Sequence, residues 1–150
     1  MPSPPFGRSQ ERLSLVTYVK LMRTANAARS FASRSLAGTK LTLTQFAVLE
    51  ALYHLGPMSL SDIAQKVLTT GGNLTMVVGN LEKQGLARRQ QSPKDRRVLI
   101  VVLTAKGKAL IRRIFPRHAA AIVEFLNVLA PEEQMRLGEL CRKLGRQDRS

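Results

Sequence analysis

The hydrophobic pattern between Thr42 and Leu103 changes period once, and that change limits the available folds more than any other feature of the chain. Phe46, Leu49, Leu52 and Tyr53, then Ile63 and Val67, then Leu74, Val77, Val78 and Leu81 recur at the three- and four-residue steps of a helical face. Breaks at Gly56-Pro57 and at Thr69-Thr70-Gly71-Gly72 divide these runs into three helices. The rhythm then stops. Val98-Leu99-Ile100-Val101-Val102-Leu103 is a β-branched run of strand length, and Leu86 to Gln91 is a short partner for it. Ser92-Pro93-Lys94-Asp95-Arg96-Arg97 joins them, with Pro93 and Asp95 favouring a turn. Three tightly connected helices followed by a hairpin form a helix-turn-helix with a two-stranded wing.

Local chemistry marks the helix ends. Thr42 and Thr44 offer capping hydroxyls, and Gln45 stands where a capping box needs it. Ser59 to Asp62 starts the second helix. Thr70 is placed to cap a third helix from about Gly71 to Gln84, and Gly85 suits a terminal residue of positive φ.

Long helices flank this lobe. Residues 1–8 are rich in Pro, Gly and Ser and read as a mobile arm. Ser9 to Leu36 contains no Pro or Gly, and Leu15, Val16, Val19, Met22 and Ala25 keep helical spacing. Leu13, Tyr18 and Leu21 extend the apolar surface around that helix, so it needs more than one neighbour to cover it. Thr104 caps a helix from about Ala105 to Leu129, with a bend expected at Pro116. Pro131, Glu132 and Glu133 begin the last helix, and Arg146 to Ser150 reads as a fraying tail. Met135, Leu137, Leu140, Cys141 and Leu144 form its apolar face, which gives Cys141 the role of a small buried hydrophobe.

Charge supplies the first indication of a partner. The chain has 24 Lys and Arg against 10 Asp and Glu, a net charge of +14. Self-repulsion on that scale is relieved by a polyanion, most commonly a nucleic acid. From Lys83 to Arg117 eleven basic residues stand against the single acid Asp95. Arg112, Arg113 and Arg117 lie too far along the next helix for the wing and read as solvated or intersubunit residues. A lone cysteine fits a reducing, cytoplasmic setting, and there is no signal-peptide pattern at the start. No apolar run approaches the roughly 18 residues of a membrane span, so no membrane partner is expected. Only His54 and His118 are present, with no Cys/His cluster and no phosphate-binding glycine loop, so neither an enzyme nor a bound metal or cofactor is expected.

LTLTQFAVLEAL at 41–52, LSDIAQKV at 60–67, TTGGNLTMVVGNLEKQGL at 69–86 and RRQQSPKDRRVLIVVLTAKG at 88–107 together resemble the MarR family of bacterial regulators. The resemblance covers about residues 9–145 and implies a mainly α fold with a small β wing. It implies a winged helix-turn-helix lobe over 42–103 and an intertwined dimerisation region from 9–36 and 105–145. It further implies a homodimer on a palindromic operator in double-stranded DNA, with affinity altered by a small-molecule effector or by oxidation.

With Leu74, Val77, Val78 and Leu81 turned to the core, Gly72, Asn73, Thr75, Met76, Gly79, Asn80 and Lys83 occupy the remaining face of the recognition helix. Small residues at 72, 75 and 79 allow close entry to a major groove; Asn73 and Asn80 suit base edges, and Thr75 and Met76 suit a thymine methyl. Thr70, Gly71 and Gly72 offer backbone N–H groups to a phosphate. By resemblance, Arg97 enters the minor groove with Asp95 holding its guanidinium, and Lys94 and Arg96 lie along flanking phosphates. Family resemblance also points to an effector pocket near Tyr18, Met22, Phe46, Tyr53 and His54. A nonspecific, architectural duplex binder is the alternative the charge leaves open.

Overall fold

The computed structural model describes residues 7–67 and 73–149. They form six helices and three short strands in the order α1 (Arg8–Arg34), α2 (Leu43–Leu55), β1 (Met58–Ser59), α3 (Leu60–Lys66), α4 (Leu74–Lys83), β2 (Ala87–Gln91), β3 (Leu99–Leu103), α5 (Ala105–Leu126) and α6 (Pro131–Gly145). The fold is mainly α with a small antiparallel sheet. Two compact units emerge. One spans Ser33–Ala120 and carries the winged helix-turn-helix; the other joins the chain up to Ala32 with the chain from Ala121 onward.

In the winged unit, α2 starts on a reciprocal cap. Thr42 Oγ1 accepts from Gln45 N at 3.1 Å, and Gln45 Oε1 accepts from Thr42 N at 3.0 Å. Gly56, at φ 85°, ends the helix in a conformation that a side chain would strain. Ser59 Oγ accepts from Asp62 N and starts α3. Leu36, Phe46, Leu49, Ile63, Val78, Leu81, Val101 and Ile111 close the core. Burying each large side chain contributes about 1.5–3 kcal/mol, against about 1 kcal/mol for a cap, so packing holds the lobe and capping sets its boundaries.

The sheet differs from the expected two-stranded wing. Its order is β1-β3-β2, with Met58 opposite Val101, Ser59 opposite Ile100, and β2 running from the Ala87–Leu103 pair to the Gln91–Leu99 pair. A two-residue strand leaves no period-2 alternation to read, so β1 is invisible as a pattern. The third strand covers the otherwise open edge of β3.

Several ends also move. The helix expected through Leu36 stops at Arg34, and Leu36 N and Ala37 N continue it only as tight turns on Ser33 O and Arg34 O. Helix α5 ends at Leu126 rather than Leu129 and runs through Pro116. Residues Arg146–Arg149 wind into a 3₁₀ turn instead of fraying. Most of the expected N-terminal arm, residues 1–6, lies outside the described residues, and Arg8 already belongs to α1.

In the other unit, Phe31 and Phe125 pack with centroids 5.2 Å apart. Helix α6 has no buried residue in the single chain. Cys141 is therefore exposed, not buried, and Leu137, Leu140 and Leu144 on the apolar face it shares are themselves left partly exposed in the single chain. No helix among the described residues is long and apolar enough to cross a membrane.

Candidate nucleic-acid interface

The recognition helix begins later than expected. Thr70, Gly71 and Gly72, taken as its cap and phosphate cradle, lie outside the described residues. Helix α4 opens at Leu74, and its N-cap is Asn73, whose Oδ1 accepts from Thr75 N at 3.0 Å. Asn73 is thus a capping residue; its amide N–H groups are left for an outside acceptor. Val78 and Leu81 are fully buried, and Leu74 and Val77 pack against the same core. This leaves Thr75, Met76 and Lys83 exposed and Asn80 half-buried on the remaining surface. Met76, at 65% exposure, is a large apolar side chain held in solvent on a polar face.

Gly79 does not lie on open surface. A Cβ there would sit 3.9 Å from Nη2 of Arg89, which crosses from β2. The same Nη2 donates to Thr75 O at 3.2 Å. Arg89 Nε lies 2.8 Å from Glu82 Oε1, an ion pair set too obliquely for a hydrogen bond. A Cβ at residue 79 would make only ordinary contact with this guanidinium, so the crossing does not itself require glycine there.

The far end of α4 is pinned by the motif that follows the wing. Gly85, at φ 71°, lets Leu86 N reach back to Leu81 O at 2.9 Å. Thr104 Oγ1 donates to Gly85 O and accepts from Gly107 N, so one hydroxyl caps α5 and fastens the turn. Lys106 Nζ donates to Gln84 O at 2.8 Å, a cation at a helix C-terminus. A side chain at Gly107 would fall onto the Leu86 carbonyl. Pattern reading could find Thr104 as a cap; Arg89, Lys106 and Gly107 gain their roles only from tertiary placement.

At the wing tip, Arg97 meets Asp95 in a fork. Nε donates to Oδ1 at 3.1 Å and Nη2 to Oδ2 at 3.2 Å, while Arg97 N also donates to Oδ1. The guanidinium holds the Asp95 carboxyl below its ordinary range. The Arg97 side chain is nonetheless 90% exposed, so it is oriented without being covered. Lys94 and Arg96 are exposed beside it.

The MarR family model matches residues 41–99, from two residues before α2 to the first residue of β3. Over 132 residues, 88% of this chain and 91% of the relative, the sequence is 39% identical to the HTH-type transcriptional regulator MhqR of Bacillus subtilis (strain 168). The chain belongs to the MarR family. As a MarR-family protein it is a DNA-binding transcriptional regulator of winged helix-turn-helix fold. Sco3205, a MarR family regulator of Streptomyces coelicolor solved in complex with DNA, is 26% identical with a TM-score of 0.79, covering 98% of this chain and 92% of that one. Bordetella bronchiseptica BpsR, whose DNA binding is regulated by 6-hydroxynicotinic acid, is 27% identical with a TM-score of 0.77, covering 95% and 98%.

In this MarR-family chain the residues expected at an effector pocket are dispersed in character. Phe46 is closed into the core, its ring 4.5 Å from that of His118. Tyr53 is half-buried and accepts from Arg112 Nε at 3.2 Å; His54 is exposed, with its ring against Phe115. Tyr18 and Met22 are exposed on α1. A cavity of about 410 Å³ has Leu52, Tyr53, Val102, Lys108 and Arg112 among its lining residues. Arg112 is thus engaged by an aromatic hydroxyl. Arg117, expected to be solvated or intersubunit, is exposed and also clamps the chain after α1, donating to Ser35 O at 2.6 Å and Ala37 O at 2.8 Å. Among the described residues no three His, Cys, Asp or Glu side chains gather as a metal site.

Proposed function

We propose that the chain is a homodimeric repressor that binds a palindromic operator, with α4 in the major groove and the wing in the adjacent minor groove of each half-site. The observation that carries this reading is the Asp95–Arg97 fork, a guanidinium fixed in direction yet 90% exposed. A narrow A·T-rich minor groove attracts an arginine so presented. Thr75, Met76 and Asn80, with the free amide of Asn73, read base edges, and Lys94, Arg96 and backbone N–H groups around Thr70 to Gly72 take phosphates. The reading assigns the chain no catalytic role and no resident cofactor. Repression follows when a dimer occupies a promoter and excludes polymerase. A small organic effector acting on the dimer modulates affinity, a proposal supported by the ligand-regulated relative BpsR.

The test is a competition titration at fixed salt, using the duplex upstream of the chain's own gene against random duplex of equal length. Operator preference of about a thousandfold, and a footprint of two half-sites about one helical turn apart, is expected. Equal affinity for both duplexes would instead favour an architectural binder driven by the net charge of +14.

A further inference from the structure

We infer that Arg89 is the positioning residue that fixes the reading half of α4 against the wing, and through it sets sequence discrimination. The inference rests on the DNA-binding reading above. Helix α4 is fastened unequally. Its C-terminal end is held by Leu81 O, Gln84 O and Gly85 O, each engaged by backbone or by the start of α5. Its N-terminal half, where Asn73, Thr75 and Met76 stand, lies beyond those fastenings and beyond the fully buried pair Val78 and Leu81, and is held to the core by the partly buried Leu74 and Val77. Arg89 supplies a tie there.

Thr75, Gly79 and Glu82 are spaced i, i+4 and i+7, so they form one stripe along the helix. The Arg89 guanidinium lies across that stripe: it donates to Thr75 O, passes 3.9 Å from where a Cβ of residue 79 would stand, and pairs with Glu82. Thr75 O is also the acceptor of the helix's own i+4 amide, so Arg89 uses its second lone pair and costs the helix nothing. Because Arg89 belongs to β2, a strand of the wing, one side chain with a hydrogen bond and an ion pair links the element proposed for the major groove to the element proposed for the minor groove. Arginine suits this role because its broad planar guanidinium can donate to Thr75 O from one edge while another edge lies beside the Glu82 carboxylate, a span that a lysine ammonium does not cover.

The experiment compares affinity for the operator duplex and for random duplex in Arg89→Ala, Arg89→Lys and Arg88→Ala, with thermal melts of each. Arg88 is the exposed neighbour on the same strand, so its removal takes away an equal charge without touching α4. The expected result is a fall of about tenfold or more in the operator-to-random ratio for Arg89→Ala, partial recovery in Arg89→Lys, and an unchanged ratio for Arg88→Ala. A folded Arg89→Ala protein whose ratio stays within about twofold of the parent overturns the inference, as does a loss matched by Arg88→Ala. Should Arg89→Ala not fold, Gly79→Val decides: a Cβ alone fits, but the two γ-methyl groups beyond it crowd the guanidinium while every charge remains, and an unchanged ratio there overturns the inference. A parent protein with no operator preference removes the DNA-reading proposal itself, which is a different failure.

Discussion

Asp95 and Arg97 separate two effects that usually act together, charge and orientation. A free arginine carries about 2 kcal/mol of rotamer entropy, and the fork with Asp95 fixes it before DNA arrives. Arg97→Ala is expected to weaken operator binding by about 1–3 kcal/mol in an equilibrium titration. Asp95→Asn is more telling. It removes a negative charge beside DNA, so charge alone predicts tighter binding, whereas loss of orientation predicts weaker operator binding with random-duplex affinity retained or raised. The second outcome is expected; tighter operator binding would show that the fork is only a surface pair. Because the folded carboxyl titrates below its ordinary value of 3.8, the pair is present above that value and is lost as pH falls through the lower, folded one. His118 behaves differently. Its Nδ1 lies 3.1 Å from Ser35 Oγ and its ring packs on Phe46; burial pushes its pKa below 6.5, with Glu50 opposing in part. The unfolded chain then takes up a proton more readily than the folded one. Stability is expected to decline as pH drops from about 7 towards 5, and melts of His118→Asn should show a smaller decline. Equal slopes for the two proteins would remove His118 as the cause.

Elements of this lobe were legible where one periodic face reports directly on one core. Helix α2 follows from Phe46, Leu49 and Leu52, and its boundary from the Thr42–Gln45 box; β3 follows from its β-branched run. Legibility failed where a boundary or a contact depends on distant residues. The recognition helix starts at Asn73 because that side chain captures Thr75 N, an option that a glycine-rich entry and a hydroxyl at Thr70 obscured. Strand β1 is too short to show alternation, and the fastenings Arg89, Lys106 and Gly107 belong to no local pattern. At the candidate interface the Asp95–Arg97 contact was thus legible by resemblance, whereas the contacts that hold α4 were not. Gly107 tests the unreadable part. A methyl at this position meets the Leu86 carbonyl, which is itself held by Thr104 N, so neither side yields cheaply. Gly107→Ala is expected to cost about 1–3 kcal/mol of stability, despite the better helix propensity of alanine, which offers less than about 1 kcal/mol in return. A melt at or above that of the parent would mean that α5 can slide away from the turn.

At the scale of the molecule, α6 poses a question that its own unit does not answer. It carries Met135, Leu137, Leu140 and Leu144 with none buried, and α1 exposes Leu15, Val16, Val19, Leu21 and Met22. A 15-residue helix gains little stability from propensity alone, and large exposed apolar patches commonly mark interaction surfaces. The proposed second copy of the chain would supply the missing cover, and the proposed palindrome needs two lobes for the same reason: linking two half-site contacts converts the second into an intramolecular event. Leu140→Glu is accordingly expected to shift sedimentation from dimer to monomer while the winged unit keeps its core. Operator affinity should then fall by about a hundredfold or more, as the effective-concentration gain disappears. Affinity for random duplex, which depends on the basic surface of each lobe, should fall much less, and its dependence on salt should become shallower as fewer phosphates are engaged at once. A parent chain that sediments as a monomer at micromolar concentration and still binds the full palindrome more tightly than a half-site would break the link between the uncovered helices and DNA recognition.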